Sequence, residues 1–163
     1  FCPADIISFL PQLILSLHYE LKSGVFEDRA NGYAIGEYKK RRNIVYNVDT
    51  SSPEEVPLHM KNLLEWYNTQ SITVDILAEF HCRYERIHPF QDGNGRTGRM
   101  ILYRECLRNG IIPIIIKDTS KEAYMLALNL AQKSGDCSRL SEVFRDEQAW
   151  YYEKMQYFLT ERS

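Results

Sequence analysis

The chain has 163 residues, 44% of them apolar and 26% charged, which is typical of one soluble domain with a sizeable core. The longest apolar run, 110–116, contains Pro113 and falls well short of the roughly 20 residues that span a membrane. The formal net charge of -2 excludes an overall positive field that would attract nucleic acid or anionic lipid, so any anion site must be built locally.

The cysteines and the first residues bear on the cellular setting. The four cysteines are scattered and form no C-x-x-C pair, which argues against a disulfide framework or a zinc site and favours a reduced, cytoplasmic protein. Residues 1–5 have neither a starting methionine nor the basic region of a signal peptide. One interpretation is that the chain is a fragment of a longer protein.

Hydrophobic periodicity predicts helices along most of the chain. Apolar residues recur at helical steps from Ile6 to Leu21 and stop at Gly24, which predicts an opening helix that Pro11 kinks or splits. The segment 32–49 loses this period and is predicted to be an exposed loop or hairpin. Further helices are predicted over about 53–67, 72–87, 95–109, 119–133 and 138–159. The first of them is capped by Ser52 and has Pro53 in its first turn.

Polar residues suited to phosphate chemistry concentrate between two of these helices, in 88–99. Gly93 and Gly95 allow unusual backbone turns and a close approach of a ligand to the backbone N–H groups. The helix that begins near Gly95 offers an N-terminal anion site. Arg96 and Arg99 lie three residues apart and could bind different phosphates of one polyphosphate, although pairing with surface acids is the alternative.

The same segment contains one carboxylate and one histidine. Asp92 is suited to hold a hard divalent cation such as Mg²⁺ through one oxygen, with water and phosphate at the other positions. His88 is the group that could take a proton near neutral pH, with helix capping as its alternative role. Residues 93–98 also satisfy G-x-G-x-x-G, but the helical period before them excludes a dinucleotide-binding βαβ unit.

Residues 88–99 resemble the H-P-F-x-D-G-N-G-R-x-x-R signature of the Fic domain family. The similarity to bacterial Fic proteins extends over nearly the whole chain, through the segments 36–39, 53–56, 63–68, 80–81 and 111–113. The resemblance implies a mainly α Fic fold in a single domain over 1–163, a bundle of about six to eight helices with a short β-hairpin flap.

The resemblance also implies an activity. Most characterised Fic enzymes transfer AMP from ATP to a Ser, Thr or Tyr hydroxyl of a target protein and release pyrophosphate. It makes His88 the general base and Asp92 the Mg²⁺ ligand, and it makes Phe90 the residue that anchors the loop in the core. The predicted ATP contacts are Asp92, Gly93, Asn94, Gly95, Arg96, Thr97, Gly98, Arg99 and Tyr124, the last with core packing as its alternative.

A second predicted site is the flap, which in the family docks an extended target segment by strand addition. It matches Asn43, Ile44, Val45 and Tyr46, with Ile44 as the residue that clamps the modified side chain. The basic run 39–42 is interpreted as solvated, with a target-binding patch as the alternative.

Other polar and aromatic residues receive structural interpretations. His81 is interpreted as a hydrogen-bonded core histidine, and His18 and His59 as structural or surface groups. An aromatic cluster near the C-terminus is interpreted as packing, with self-association as the alternative; its members are Trp150, Tyr151, Tyr152, Tyr157 and Phe158.

Regulation and rival functions stay open. Many Fic proteins inhibit themselves with a helix bearing [S/T]-x-x-x-E-[G/N]; the segments that begin at Ser16 and Ser138 lack its last residue. We therefore expect a separate inhibitory protein or an inhibitory helix ahead of Phe1. The rival functions are another Fic reaction, such as removal of AMP or transfer of another phosphate-containing group, and a non-catalytic nucleotide-binding or protein-interaction module. The intact Asp-Gly-Asn-Gly disfavours a Doc-type kinase. No nucleic-acid or membrane partner is expected, and the protein is cytoplasmic or, as an effector, delivered into a host cell.

Overall fold

A computed structural model describes residues 3–45 and 48–160, with side chains described except at 3–10, 44, 48 and 157–160. These residues are mainly helical, as predicted. The elements, in chain order, are α1 (Pro3–Lys22), α2 (Phe26–Ala30), β1 (Ile44–Val45), β2 (Val48–Asp49), α3 (Val56–Asn68), α4 (Val74–Ile87), α5 (Asn94–Arg108), a 3₁₀ turn (Asp118–Ser120), α6 (Lys121–Ser134) and α7 (Ser138–Thr160).

The chain divides into two compact units, the first formed by 1–70 with 83–101 and the second by 71–82 with 102–163. A single domain over 1–163 stays a prediction. Among the described residues, none of the helices combines the length and apolar character that a membrane span requires.

The first unit is built around the apolar stripe of α3. The predicted inward face of this helix is confirmed, because Val56, Met60, Leu63, Leu64 and Tyr67 are all buried and recur at three- and four-residue steps. Helix α1 packs against α3. The prediction that Pro11 splits α1 is wrong, since one helix runs through that proline.

The start of α3 differs from the prediction. The helix begins at Val56 rather than at Ser52, and the proline in its first turn is Pro57 instead of Pro53. The Ser52 N–H donates to Glu55 Oε2 at 2.9 Å, so the carboxylate of Glu55 fixes a turn ahead of the helix.

The second unit gathers α6, α7 and parts of α4 and α5 around a core that includes Leu77, Leu102, Tyr124, Leu140 and Phe144. Helix α6 ends at Gly135, whose φ of 79° gives the left-handed turn that closes many helices.

The C-terminal aromatic cluster does not pack as interpreted. Tyr152 is 53% exposed, so the packing interpretation is wrong for this residue. Trp150 is 39% exposed and packs in part, since Lys117 Nζ lies 4.3 Å from the centroid of its ring. The side chains of Tyr157 and Phe158 lie outside the described residues.

The segment 32–49 contains one short antiparallel pairing. Ile44 pairs with Asp49 and Val45 with Val48. Tyr46 and Asn47 lie outside the described residues, as does the side chain of Ile44, the predicted clamp. A docking role for this flap stays a prediction.

Candidate active site

The loop that carries the predicted chemistry runs from the end of α4 to the start of α5. The His88 N–H still donates to the Tyr84 carbonyl at 3.0 Å, as in the preceding helix. The φ of His88 is 52°, the one positive value for a non-glycine residue in the part of the chain that the structure describes. Together with Pro89 this turn stops α4, so the imidazole stands at the point where the chain leaves the helix.

Phe90 anchors the loop, as predicted. Its side chain is fully buried and stacks on the His18 ring, with centroids 3.8 Å apart and planes 1° apart. His18 Nε2 donates to the Asp92 carbonyl at 3.1 Å, while its Nδ1 accepts the Gly36 N–H at 2.9 Å. Burial lowers the pKa of His18, so the neutral ring can donate at one nitrogen and accept at the other. His18 is therefore structural, one of its two predicted roles.

Asn94 closes the loop from within. Its Oδ1 accepts the Phe90 N–H and its Nδ2 donates to the Phe90 carbonyl, both at 2.8 Å, and Asn94 is only 2% exposed. The amide side chain is thus used to hold the loop shape. What Asn94 offers a ligand is its backbone N–H.

The first turn of α5 has backbone N–H groups that suit an anion. The first helical bond runs from the Thr97 N–H to the Gly93 carbonyl at 3.0 Å, so the N–H groups of 94–96 have no partner within the helix. Gly93 has φ of 80°, and a Cβ there would lie 3.2 Å from Lys22 Cδ. At Gly95 a Cβ would lie 3.3 Å from Arg99 Nη1. Both glycines therefore keep side-chain bulk away from a crowded backbone turn.

The two arginines differ in placement. The Arg96 side chain is 50% exposed, and its Nη2 lies 3.4 Å from Asp92 Oδ2. Arg99 is half-buried and folds back over the turn that begins at Gly95. The site thus presents two guanidinium groups and a helix N-terminus within one turn of chain.

Glu85 is a site residue that the sequence reasoning missed. It lies one helical turn before His88 and is 7% exposed. Burial raises the pKa of its carboxyl group to about 7, and the positive charge of Arg99 acts in the opposite direction. Glu85 is therefore a buried acid close to Arg99, in addition to Asp92 in the loop. The one sequence signal for it is its position three residues before His88.

The environment of His88 favours a neutral imidazole. Burial lowers its pKa to about 4, and the nearby Lys39 charge adds to this, while a hydrogen bond to the Glu85 carbonyl opposes it. That bond joins Nδ1 to the carbonyl at 3.2 Å. A carbonyl oxygen only accepts, so Nδ1 carries the proton and Nε2 keeps a lone pair.

Asp92 is held as an ionised carboxylate. Its Oδ2 lies 2.5 Å from Lys22 Nζ, and its side chain is 52% exposed. Partial burial raises its pKa, but the Lys22 hydrogen bond and other positive charges outweigh this and leave the pKa lowered. The described residues hold no group of three or more His, Cys, Asp or Glu able to cage a metal. One hard oxygen donor beside a phosphate site fits Mg²⁺, which binds through one or two carboxylates together with phosphates and water.

The base of the flap is tied to this loop. The Lys39 N–H donates to the Pro89 carbonyl at 2.8 Å, and Asn43 Nδ2 donates to the Phe90 carbonyl at 3.0 Å. Lys39 Nζ in turn donates to Asn43 Oδ1 at 2.7 Å and to Thr50 Oγ1 at 3.1 Å. Lys39 is 2% exposed, so its assignment to a solvated basic run is wrong: a buried ammonium needs these oxygen partners.

A sequence model of the Fic/DOC family matches residues 8–106 of the chain. The chain belongs to the Fic/DOC family. It is 29% identical over 115 residues to a probable protein adenylyltransferase of Aquifex aeolicus, covering 67% of this chain and 35% of that protein. It is 31% identical over 124 residues to the protein adenylyltransferase Fic of Drosophila melanogaster, covering 74% of this chain and 24% of that protein. The chain thus spans a quarter to a third of the length of these relatives.

Solved Fic structures share the fold. Fic-1 of Caenorhabditis elegans aligns with a TM-score of 0.75 at 25% identity, covering 93% of this chain and 44% of that one. A Fic domain protein of Bacteroides thetaiotaomicron gives 0.68 at 27%, covering 89% and 57%. The BepC protein of Bartonella tribocorum, solved with bound AMPPNP, gives 0.67 at 18%, covering 83% and 72%. The predicted Fic fold is confirmed.

Some residues that the Fic resemblance assigned to ATP are buried. Thr97 is 0% exposed, its N–H serves the helix, and Gly98 is buried beside it. Tyr124, in the second unit, is 2% exposed, and its hydroxyl lies 2.7 Å from His81 Nε2. His81 is thus the hydrogen-bonded core histidine that was predicted. The ATP contacts of Thr97, Gly98 and Tyr124 stay predictions, and burial favours packing roles for them.

Proposed function

We propose that this chain transfers AMP from ATP to a Ser, Thr or Tyr hydroxyl of a target protein and releases pyrophosphate. The observation that carries the proposal is the neutral His88, with its proton on Nδ1, beside a helix N-terminus and two arginines. The adenylyltransferase names of the relatives support the same reaction.

His88 supplies the base. Its Nδ1–H is fixed on the Glu85 carbonyl, so Nε2 takes the proton of the target hydroxyl as that oxygen attacks the α-phosphorus. The new bond joins the target oxygen to this phosphorus. The bond to the oxygen that bridges to the β-phosphate breaks, and its electron pair leaves with pyrophosphate.

Charge stabilisation comes from the start of α5. The N–H groups of 94–96 bind phosphate oxygens, and Arg96 and Arg99 hold the outer phosphates. Such preorganised donors act most strongly on the charge that develops in the transition state, where losing one typically costs about 100- to 1000-fold in rate. Asp92 would hold Mg²⁺ through one carboxylate oxygen, and the ion would neutralise phosphate charge there.

The flap supplies the target site. An extended target segment pairs along the strand edge at 43–45, which brings its hydroxyl toward His88. The bonds from Lys39 and Asn43 to the Pro89 and Phe90 carbonyls support this arrangement, because they tie the base of the flap to the catalytic loop.

Labelling with ATP tests the reaction directly. The chain is incubated with Mg²⁺, a cell lysate and ATP carrying the label on its α-phosphate, and protein-bound label is measured. We expect labelled protein with the unmodified chain and none with His88→Ala. His59→Ala is the matched control, since His59 bonds to Ser51 and has no part in the proposed chemistry, so it keeps the label.

The same assay separates the rival reactions. Label transferred from the γ-phosphate would indicate a kinase, and equal α-label with His88→Ala would remove the base from the mechanism. Loss of AMP from premodified protein by hydrolysis, with no addition, would assign the removal of AMP. Mass spectrometry of the labelled band then identifies the target residue.

A further inference from the structure

A buried ion pair lies directly behind Asp92. Lys22, in the last turn of α1, is 3% exposed. Its Nζ lies 2.5 Å from Asp28 Oδ2 and 2.5 Å from Asp92 Oδ2. Asp28 is 5% exposed, whereas the Asp92 side chain is 52% exposed. The ammonium therefore joins a deep carboxylate to the half-exposed one that would hold the metal.

The Lys22 side chain is held at its stem as well as at its ammonium. A Cβ placed on Gly93 would lie 3.2 Å from Lys22 Cδ and 3.5 Å from its Cγ, so the stem runs close to the backbone of the loop. One turn earlier on α1, His18 donates to the Asp92 backbone carbonyl. Helix α1 thus holds Asp92 at both its backbone carbonyl and its carboxylate. The Lys22–Asp92 pair is therefore more constrained than an ion pair between two flexible surface side chains.

The Lys22 ammonium contacts two carboxylates, those of Asp28 and Asp92, whereas the proposed metal site has the Asp92 carboxylate alone. A buried ammonium that lost its only partner would pay a large desolvation penalty. With Asp28 in contact, Lys22 can give up Asp92 and still be paired. A divalent cation at Asp92 would meet the positive charge of Lys22 a few ångströms away, and this repulsion opposes metal binding for as long as the ammonium stays at Asp92.

We propose that Lys22 is a positioning residue that holds the Asp92 carboxylate in the absence of metal and releases it to a divalent cation, with Asp28 then keeping the ammonium. This inference rests on the proposed function, because it takes Asp92 as the metal ligand of a nucleotide site. Asp28 and Lys22 together would set how much Mg²⁺ the enzyme needs.

Calorimetry with AMPPNP tests the proposal without turnover. The dissociation constant of AMPPNP is measured in EDTA and in saturating Mg²⁺. The value in EDTA divided by the value in Mg²⁺ gives the factor by which the metal strengthens binding. In Asp28→Asn the ammonium has only Asp92 left, so we expect the ratio to fall about tenfold. In the double variant Lys22→Met with Asp28→Asn the competing cation is gone, so we expect the ratio to rise about tenfold.

The opposite signs distinguish positioning from simple support. If Lys22 only supported the loop, the double variant would lower the ratio or leave it unchanged. Either result in the double variant, or an unchanged ratio in Asp28→Asn, overturns the inference. Asp92→Asn is the reference, with an expected ratio near one. If the double variant fails to fold by circular dichroism, Asp28→Asn decides alone: an unchanged or increased ratio refutes the proposal. If AMPPNP binds none of the proteins, the proposed function itself fails and takes the inference with it.

Discussion

The catalytic loop 88–99 and the flap segment 32–50 are neighbours in the first unit, yet they are held in different ways. The loop is fixed from inside by the buried Phe90 and by two hydrogen bonds of the Asn94 side-chain amide. The flap has only two-residue strands and is tied at its base through Lys39, Asn43 and Thr50. Under the proposed function, the loop that is fixed from inside binds the nucleotide, and the flap that is attached at its base meets the target.

The largest expected effect breaks the loop. Asn94→Ala leaves the buried Phe90 N–H without its acceptor and removes a donor from the Phe90 carbonyl. We expect the free energy of unfolding to fall by about 3 to 4 kcal/mol and AMPPNP binding to be lost, as measured by urea unfolding and calorimetry.

The flap provides the matched control. Asn43→Ala removes a donor from the same Phe90 carbonyl, which keeps its bond from Asn94. We expect it to cost only about 1 kcal/mol and to leave AMPPNP binding intact. Equal losses in the two variants would contradict the contrast between a rigid loop and an attached flap.

A second prediction uses pH, because His88 belongs to the rigid loop. Burial holds the pKa of His88 at about 4 in the folded chain, below the usual 6.5, so the neutral ring adds stability that is present above pH 6.5 and lost as the pH falls toward 4. Unfolding at pH 7 and 4.5 measures it. We expect about 2 to 3 kcal/mol of the acid-induced loss to be absent from His88→Asn.

The pH dependence of activity measures the pKa of His88 independently. With a pKa near 4, kcat/KM for target labelling stays level as the pH falls through 6.5, because His88 is still unprotonated. A decline centred on 6.5 would mean that the imidazole is solvated in the working enzyme.

The smallest expected effect loosens the flap. Lys39→Met removes the ammonium that bonds to Asn43 and Thr50, while Met fills a similar volume. We expect the KM for the target protein to rise about tenfold, with AMPPNP affinity unchanged. A parallel loss of AMPPNP binding would show that Lys39 supports the nucleotide site instead.

What the sequence could predict depended on whether the signal was local. The buried stripe of α3 and the glycines and arginines of 93–99 follow from spacing within one element, so their placement was readable. Helix α2 has five residues, too few for a hydrophobic period to appear, and it was missed.

The contacts that support the site join distant parts of the chain. Lys22 and His18 reach Asp92 across separations of 70 and 74 residues, and no periodicity reports such a pair. Lys39 was hidden for another reason: it stands in a run of basic residues, whose average behaviour is solvation.

The left-handed turn at His88 also limits how this site can change in evolution. At a φ of 52° the backbone accepts Gly and, at modest strain, Asn, whereas β-branched residues are strongly disfavoured. A single substitution to Gly or Asn would erase the proton acceptor and leave the loop, its glycines and its arginines in place. Under the proposed function, a variant that keeps the nucleotide site but lacks the base is therefore one substitution away from this sequence.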